Sequence, residues 1–227
     1  MIKKPEKRMR TIKSFVCRQG RLTALQAKGF EEAESFYILP MHQINVLNFA
    51  EIYSNPHPII LEIGFGMGAS LLAQAEKNPN ENFLGVEVHR PGIGALLSGM
   101  VNKKINNIRI VSEDILLHLE KIPDQSLAGV QIFFPDPWPK RRHHKRRLIQ
   151  EAFVLKLVEK IKIGGFLHCA TDWEDYAQQM IQVLNESKRF SFAEYHQGST
   201  DRLQTKFESR GLKLGHIIRD IKVQRIS

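Results

Sequence analysis

Ile59–Gly68 reads IILEIGFGMG, and this stretch decides the fold. Ile59–Ile63 is a short apolar run, broken only by Glu62 and preceded by Asn55, Pro56, His57 and Pro58. That length and those breakers predict a buried strand. Gly64, Gly66 and Gly68 then alternate with Phe65 and Met67, and a helical pattern continues to about Glu76. A strand, a glycine turn and a helix let a ligand approach the backbone closely above a helix N-terminus. The dinucleotide fingerprint G-x-G-x-x-G is a different pattern, because here the third glycine comes one residue early. Glu62 also stands before the glycines, where a carboxylate suits a cationic ligand better than a pyrophosphate.

Working downstream, the strand–helix unit recurs. Phe83–Val88 (FLGVEV) predicts a second strand with Glu87 near its end. Glu87 lies roughly twenty residues beyond the glycines, where α/β nucleoside sites place an acid that accepts from the ribose hydroxyls. Pro91, Ile93, Leu96, Leu97 and Met100 mark a helix. Ile108–Val111 is a third strand, closed by Ser112, Glu113 and Asp114. Asp114 reads either as an acceptor for an adenine amino group or as the cap of a helix over Ile115–Lys121. Leu127–Phe134 is a fourth strand, Leu148–Ile161 a helix ended by Gly164 and Gly165, and Phe166–Ala170 a fifth strand. Asp172 follows that strand and reads as a helix cap or as a substrate contact. The helix after it carries Trp173, Tyr176, Ala177, Met180, Ile181 and Leu184 at spacings of three and four, which places its aromatics in the core. Phe190–Tyr195 and Ile217–Val223 are later strands, and Met41–Tyr53 upstream has a helical pattern. Five strands alternating with helices predict an α/β sheet of mostly parallel strands with helices on both faces. The last two strands, with no clear long helix between them, allow an antiparallel edge.

The fourth strand runs into Phe133–Arg147, FFPDPWPKRRHHKRR. Pro135, Pro137 and Pro139 cannot continue a central strand or a helix interior. They bias the residues before them, Asp136 included, towards extended backbone. A carboxylate on a stiff loop at a strand's carboxyl end stands where ligands bind in open α/β sheets. Lys140, Arg141, Arg142, His143, His144, Lys145, Arg146 and Arg147 follow without an acid. One acid beside a cationic run points to a reaction centre beside a polyanion; the alternative is a solvated basic loop.

Composition narrows the classes. The 227 residues suit one domain with extensions, and the formal charge is +9. Met1–Lys28 holds nine Lys and Arg against Glu6 alone, so residues 1–40 read as a basic, partly disordered arm ahead of a catalytic domain over 41–227. Two basic segments far apart in sequence favour a nucleic-acid partner over a membrane. The apolar runs are too short to span a bilayer. Cys17 and Cys169 make no disulfide framework, which fits a reducing cytoplasm. No metal is expected, and the oligomeric state is open between monomer and homodimer.

LEIGFGMG (Leu61–Gly68), GVEVHR (Gly85–Arg90), the Phe133–Arg147 stretch and TKFESRG (Thr205–Gly211) together resemble the bacterial tRNA (guanine-N7-)-methyltransferase family. The resemblance covers nearly the whole chain, including SFV and GRLT near its start. The glycine motif alone indicates only a class I methyltransferase; the proline–basic stretch with TKFE is specific. The family implies a seven-stranded class I (Rossmann-like) fold, S-adenosylmethionine as methyl donor, and tRNA as substrate, with guanosine 46 of the variable loop as target. Matched by motif, Glu62, Glu87, Asp114 and Asp136 are cofactor positions beside Gly64, Gly66 and Gly68. Asp136 matches the catalytic position. Lys140, Asp172, Thr205, Lys206, Phe207 and Glu208 match substrate-binding positions, and Arg142, His143, His144, Lys145, Arg146 and Arg147 the RNA-contacting run. One departure is Arg202-Leu203, where the family often has Arg-Pro.

The chemistry agrees with the residues. Guanine N7 presents an acceptor lone pair and can attack a sulfonium methyl without first losing a proton. Alignment is then the enzyme's main task, and no obligatory base is needed at N7. Two other classes are a nucleotide-cofactor oxidoreductase and a basic RNA-binding protein without catalysis. Glu62 and the early third glycine count against the first, and three strand-end acids against the second.

Overall fold

The computed structural model describes residues 14–15, 20–197, 208 and 215–227. Seven strands form one sheet: β1 (Ile59–Ile63), β2 (Asn82–Val86), β3 (Ile108–Val111), β4 (Leu127–Phe133), β5 (Ile161–Thr171), β6 (His196–Gln197) and β7 (Arg219–Gln224). Their order is β3-β2-β1-β4-β5-β7-β6. The first five are parallel neighbours, and β7 runs antiparallel to both β5 and β6. The antiparallel strand therefore lies one place in from the edge. The chain runs outward from β1 to β3, then returns to lay β4 on the other side of β1. That reversal opens a crevice at the carboxyl ends of β1 and β4, where open α/β sheets bind ligands.

Side-chain alternation along the strands divides the core into two layers. Leu61, Ile63, Leu84, Val86, Val130 and Ile132 join one buried cluster with Phe153, Val154 and Leu157 of α6 (Glu151–Lys160) and Tyr176, Met180 and Leu184 of α7 (Glu174–Ser187). Ile60, Phe83, Ile108 and Ile110 join the other with Leu71 of α3 (Ala69–Lys77) and Ile93, Leu96 and Met100 of α4 (Arg90–Lys103). Helices thus cover both faces, as the alternating pattern requires.

Four local expectations are corrected. Ala24–Tyr37, assigned by sequence to the basic arm, is a helix, α1. Thr23 and Gln26 close a capping box at its start. Its buried residues are Gln26, Gly29, Phe30 and Ala33, and Ser98 of α4 donates from Oγ to Leu25 O at 2.6 Å. A Cβ on Gly29 would stand 2.5 Å from that Oγ, so the two helices meet closely at a glycine, with Phe30 the one large apolar residue buried on that face. Such a face gives almost no periodic hydrophobic signal. Met41–Tyr53 is not one helix. Met41–Gln43 is a single 3-10 turn, and α2 spans only Phe49–Tyr53, with Asn48 accepting from Glu51 N. Met41 and Leu47 are buried, but Leu47 N donates to Lys121 O, so apolar residues here anchor a loop. β5 begins at Ile161, before Gly164 and Gly165. A register shift between Leu127 and Gly129 and a left-handed Gly164 (φ 81°) carry it through those glycines. The late strand expected over Phe190–Tyr195 is reduced to an isolated bridge from Phe190 to Arg225, and β6 is the next two residues.

Candidate active site

A cavity of about 340 Å³ opens at the carboxyl ends of β1 to β4. Gly64 and Gly66 line it after β1, Glu87 and His89 after β2, Glu113 and Asp114 after β3, and Phe134, Pro135 and Asp136 after β4. Among the described residues, no group of three or more His, Cys, Asp or Glu is placed to hold a metal ion. No helix among them is long and apolar enough to cross a membrane.

The β1 turn shows why its glycines recur at every second position. Gly64, Gly66 and Gly68 have φ of 78°, 58° and 74°, a region other L-residues enter at a cost. Each glycine is therefore needed for its own backbone angle. A Cβ on Gly64 or Gly66 would meet no protein atom within 4 Å, so both leave bare backbone facing the cavity. On Gly68 it would stand 2.7 Å from Leu96 Cβ, which makes that glycine a packing requirement as well.

Glu87 braces this turn. Its Oε2 accepts from Gly66 N at 2.8 Å, and its Oε1 from Val88 N at 2.7 Å and His89 N at 2.9 Å. The acid expected at the end of the second strand thus stands at the cavity wall and fixes the glycine loop. Asp114 fulfils the capping role: its Oδ1 accepts from Leu116 N at 3.0 Å at the start of α5 (Ile115–His118). It also lines the cavity, and a carboxylate retains further acceptor sites. Glu62 lies deeper. It is 3% exposed, beside Gln131 in the sheet register, and its Oε2 has no hydrogen-bond partner among the described residues. Burial, with the Glu87 charge adding to it, pushes its carboxyl up to about 8.

The β4 loop has a different construction. Phe134 and Trp138 adopt φ of 52° and 45°, left-handed values at two bulky residues. Outside contacts hold them there. Phe134 N donates to Ala170 O at 2.8 Å, and Trp138 Nε1 donates to Ser14 O at 3.0 Å. The Arg146 guanidinium stacks 4.9 Å from the Trp138 ring. Asp136, between these residues, is exposed at the cavity wall.

The basic run forms a 3-10 helix, Arg141–Arg146, with Lys140 as its N-cap. Lys140, Arg141, Arg142 and Lys145 are exposed, and His143 is half-buried. Desolvation, then the neighbouring cations led by Arg146, pushes His143 below its ordinary pKa. His144 turns its Nε2 inward, 3.2 Å from Arg147 Nη2. Arg147 departs from the expectation for the run. Its side chain is 1% exposed and ion-paired to Asp175 at 2.7 Å, so it is not offered to an RNA backbone.

The expected substrate positions divide. Asp172, after β5, does not cap α7: the cap residue is Trp173, whose N donates to Thr171 Oγ1. Asp172 instead accepts from His216 Nδ1 at 2.8 Å. Glu208 is buried, and Thr205, Lys206 and Phe207 lie outside the described residues. The cavity also has walls to which the sequence reading gave no site role. Ser14, Phe15, His89 and Leu148 line it. Ser14 and Phe15 come from a stretch without period, and Trp138 Nε1 holds the Ser14 carbonyl.

The sheet order, the glycine turn and the strand-end acids define a class I methyltransferase fold. The family described as putative methyltransferase matches residues 56–221. A solved tryptophan-to-alanine variant of the 16S rRNA (adenine(1408)-N(1))-methyltransferase from Catenulisporales acidiphilia, with cosubstrate SAM, has a TM-score of 0.56 at 15% identity. It covers 83% of this chain and 96% of that one, a likeness of fold alone. The tRNA (guanine-N(7)-)-methyltransferase of Mannheimia succiniciproducens is 46% identical over 217 residues, 93% of this chain and 87% of the relative. That of Legionella pneumophila (strain Lens) is 48% identical over 218 residues, 93% and 97% of the two chains. The chain belongs to the tRNA (guanine-N(7)-)-methyltransferase family.

Proposed function

We propose that the protein transfers a methyl group from S-adenosylmethionine to N7 of a guanosine in tRNA, at position 46 of the variable loop, forming 7-methylguanosine. The observation that carries this is the juxtaposition of an acid-lined cavity with an exposed cationic helix on one continuous stretch, Phe133–Arg146. The family supplies the substrate class.

The residues fit the methyl donor. Its volume class matches a cavity of about 340 Å³. Gly64 and Gly66 leave open the space that side chains would fill. On this reading Glu87 accepts from the ribose hydroxyls and Asp114 from the adenine amino group, while Glu62 offers a buried carboxyl oxygen beneath the glycines. When bound, the cofactor supplies an electrophilic methyl group and a neutral leaving group.

This chain's own task is alignment and charge stabilisation. N7 needs no proton removed, so Asp136 orients the base and offsets the positive charge that grows on the ring. Asp172 and Glu208 are acceptors for the guanine N1–H and exocyclic amine. Lys140, Arg142, His143, Lys145 and Arg146 face the RNA backbone. The target base leaves its stack to reach the acid-lined wall. Calorimetry with S-adenosylmethionine and NAD, followed by nucleoside analysis of treated tRNA, tests the reading. Binding of the first and not the second, with 7-methylguanosine as the new nucleoside, is expected. NAD binding or a different methylated nucleoside contradicts it.

A further inference from the structure

Arg147 ends the cationic run in sequence but belongs to a different structure. All three of its guanidinium nitrogens are engaged. Nε donates to Pro137 O at 2.8 Å, Nη1 to Gln179 Oε1 at 2.8 Å, and Nη2 to Asp175 Oδ1 and Oδ2 at 2.7 and 3.0 Å. The guanidinium carbon Cζ lies 4.7 Å from the Tyr176 ring centroid. His144 Nε2 lies beside the same pair, 3.2 Å from Nη2 and 3.6 Å from Asp175 Oδ2. The far side of the network is equally fixed. Gln179 Nε2 donates to Ile149 O at 3.0 Å, and Ile149 N donates to the fully buried Tyr176 hydroxyl at 3.1 Å.

The loop end of this network matters most. Pro137 immediately follows Asp136 and precedes Trp138, whose backbone is left-handed at φ 45°. Such a conformation persists only where surrounding structure over-determines it. Pro137 has no N–H, so its carbonyl is the one main-chain hydrogen-bonding group at that position. Arg147 takes that carbonyl and ties it to the first turn of α7, an element packed in the core. Lysine has no fork and cannot reach carbonyl, amide and carboxylate together.

We propose that Arg147 is a positioning residue that clamps the Asp136 loop to α7 through the Pro137 carbonyl, and not a contact to tRNA. The inference rests on the methyltransferase reading above. It predicts a signature opposite to that of the exposed cations. Arg147→Lys keeps the charge and loses the fork. Its single-turnover methylation at saturating tRNA and cofactor falls about 10-fold or more, the scale on which a slightly misplaced group costs rate. Its tRNA affinity and the salt dependence of that affinity stay at wild-type values. Gln179→Ala, which removes one partner at the α7 end, gives a smaller rate loss with the same unchanged salt slope. It also serves if Arg147→Lys does not fold. In a Trp173→Phe background, Trp138 becomes the only tryptophan, and the clamp variants shift its emission.

The proposal is overturned if Arg147→Lys and Gln179→Ala both turn over at the wild-type rate. It is equally overturned if neutral Arg147→Gln flattens the salt slope by about one unit, the mark of a lost phosphate contact. A wild-type protein that methylates no tRNA defeats the functional reading itself, which separates that failure from this one.

Discussion

The loops after β1 and β4 are neighbours at the carboxyl edge of the sheet, and both carry left-handed backbone. They obtain it by opposite means. The β1 loop uses Gly64, Gly66 and Gly68, for which such angles are nearly free. The β4 loop uses Phe134 and Trp138, where each such angle costs about 1–3 kcal/mol. Ala170, Ser14, Arg146 and Arg147 offset that cost from outside. The first loop takes its backbone angles from its own glycines, with Glu87 bracing it from the end of β2, and presents bare backbone to the cavity. The second is specified by the rest of the fold and holds a carboxylate in place. Binding surface and chemical group are thus supported independently, and the comparison can be broken from either side.

The largest effect belongs to the β4 loop. Asp136→Ala lowers the saturating single-turnover rate by about 10²–10³-fold, the cost of one preorganised electrostatic group. Asp136→Asn refines this: if the negative charge is what stabilises the ring, Asn is nearly as poor as Ala. Recovery of much of the rate in Asn assigns Asp136 to orientation alone. On the β1 side, Glu87→Ala weakens S-adenosylmethionine binding by about 1.5–3 kcal/mol, the range for hydrogen bonds to a charged group. Unchanged affinity in a folded variant removes Glu87 from the cofactor site. Gly66→Ala costs about 1–2 kcal/mol of stability through its backbone angle. A midpoint equal to wild type on denaturant unfolding would mean that the turn adopts another conformation.

A pH experiment reaches the residue beneath the glycines. The Glu62 carboxyl is raised from 4.5 to about 8 in the folded protein. A raised acid holds its proton more tightly when folded, so its contribution is fully present below about pH 4.5. That contribution fades as pH rises through about 8. Resistance to thermal unfolding without ligand therefore falls from about pH 5 to about pH 9, and Glu62→Gln flattens that trend. Parallel pH profiles for the two proteins sink the assignment. The smallest effect is at the surface: Arg142→Gln lowers the salt slope of tRNA binding by about one unit and leaves cofactor affinity alone.

The same contrast explains how much was legible in the sequence. The parallel sheet follows from strand periods and breakers, because β1 to β4 carry compact apolar runs between turn residues. The glycine loop was legible because its chemistry is local. Glu87 and Asp136 followed from their places at strand ends. Arg147 was not legible, because five Lys and Arg and two histidines before it set its context in sequence, and only α7, nearly thirty residues on, reveals its partners. Helix α1 was hidden because it packs through Gly29, Ala33 and a single large apolar residue, Phe30, without an apolar stripe. Its capping pair, Thr23 and Gln26, was the one local signal available. Ser14 lines the cavity and is held by a tertiary contact with Trp138, which no periodicity encodes.

The central claim is methyl transfer to N7 of one guanosine, and a pair of tRNA transcripts tests it most directly. One carries guanosine at position 46 and the other adenosine there, with the rest of the sequence unchanged. Each is incubated with the wild-type protein and methyl-labelled S-adenosylmethionine, then digested for nucleoside analysis. The account predicts label in the first transcript, recovered as 7-methylguanosine, and none above background in the second. Equal label in both transcripts, or label recovered as any other nucleoside, contradicts it.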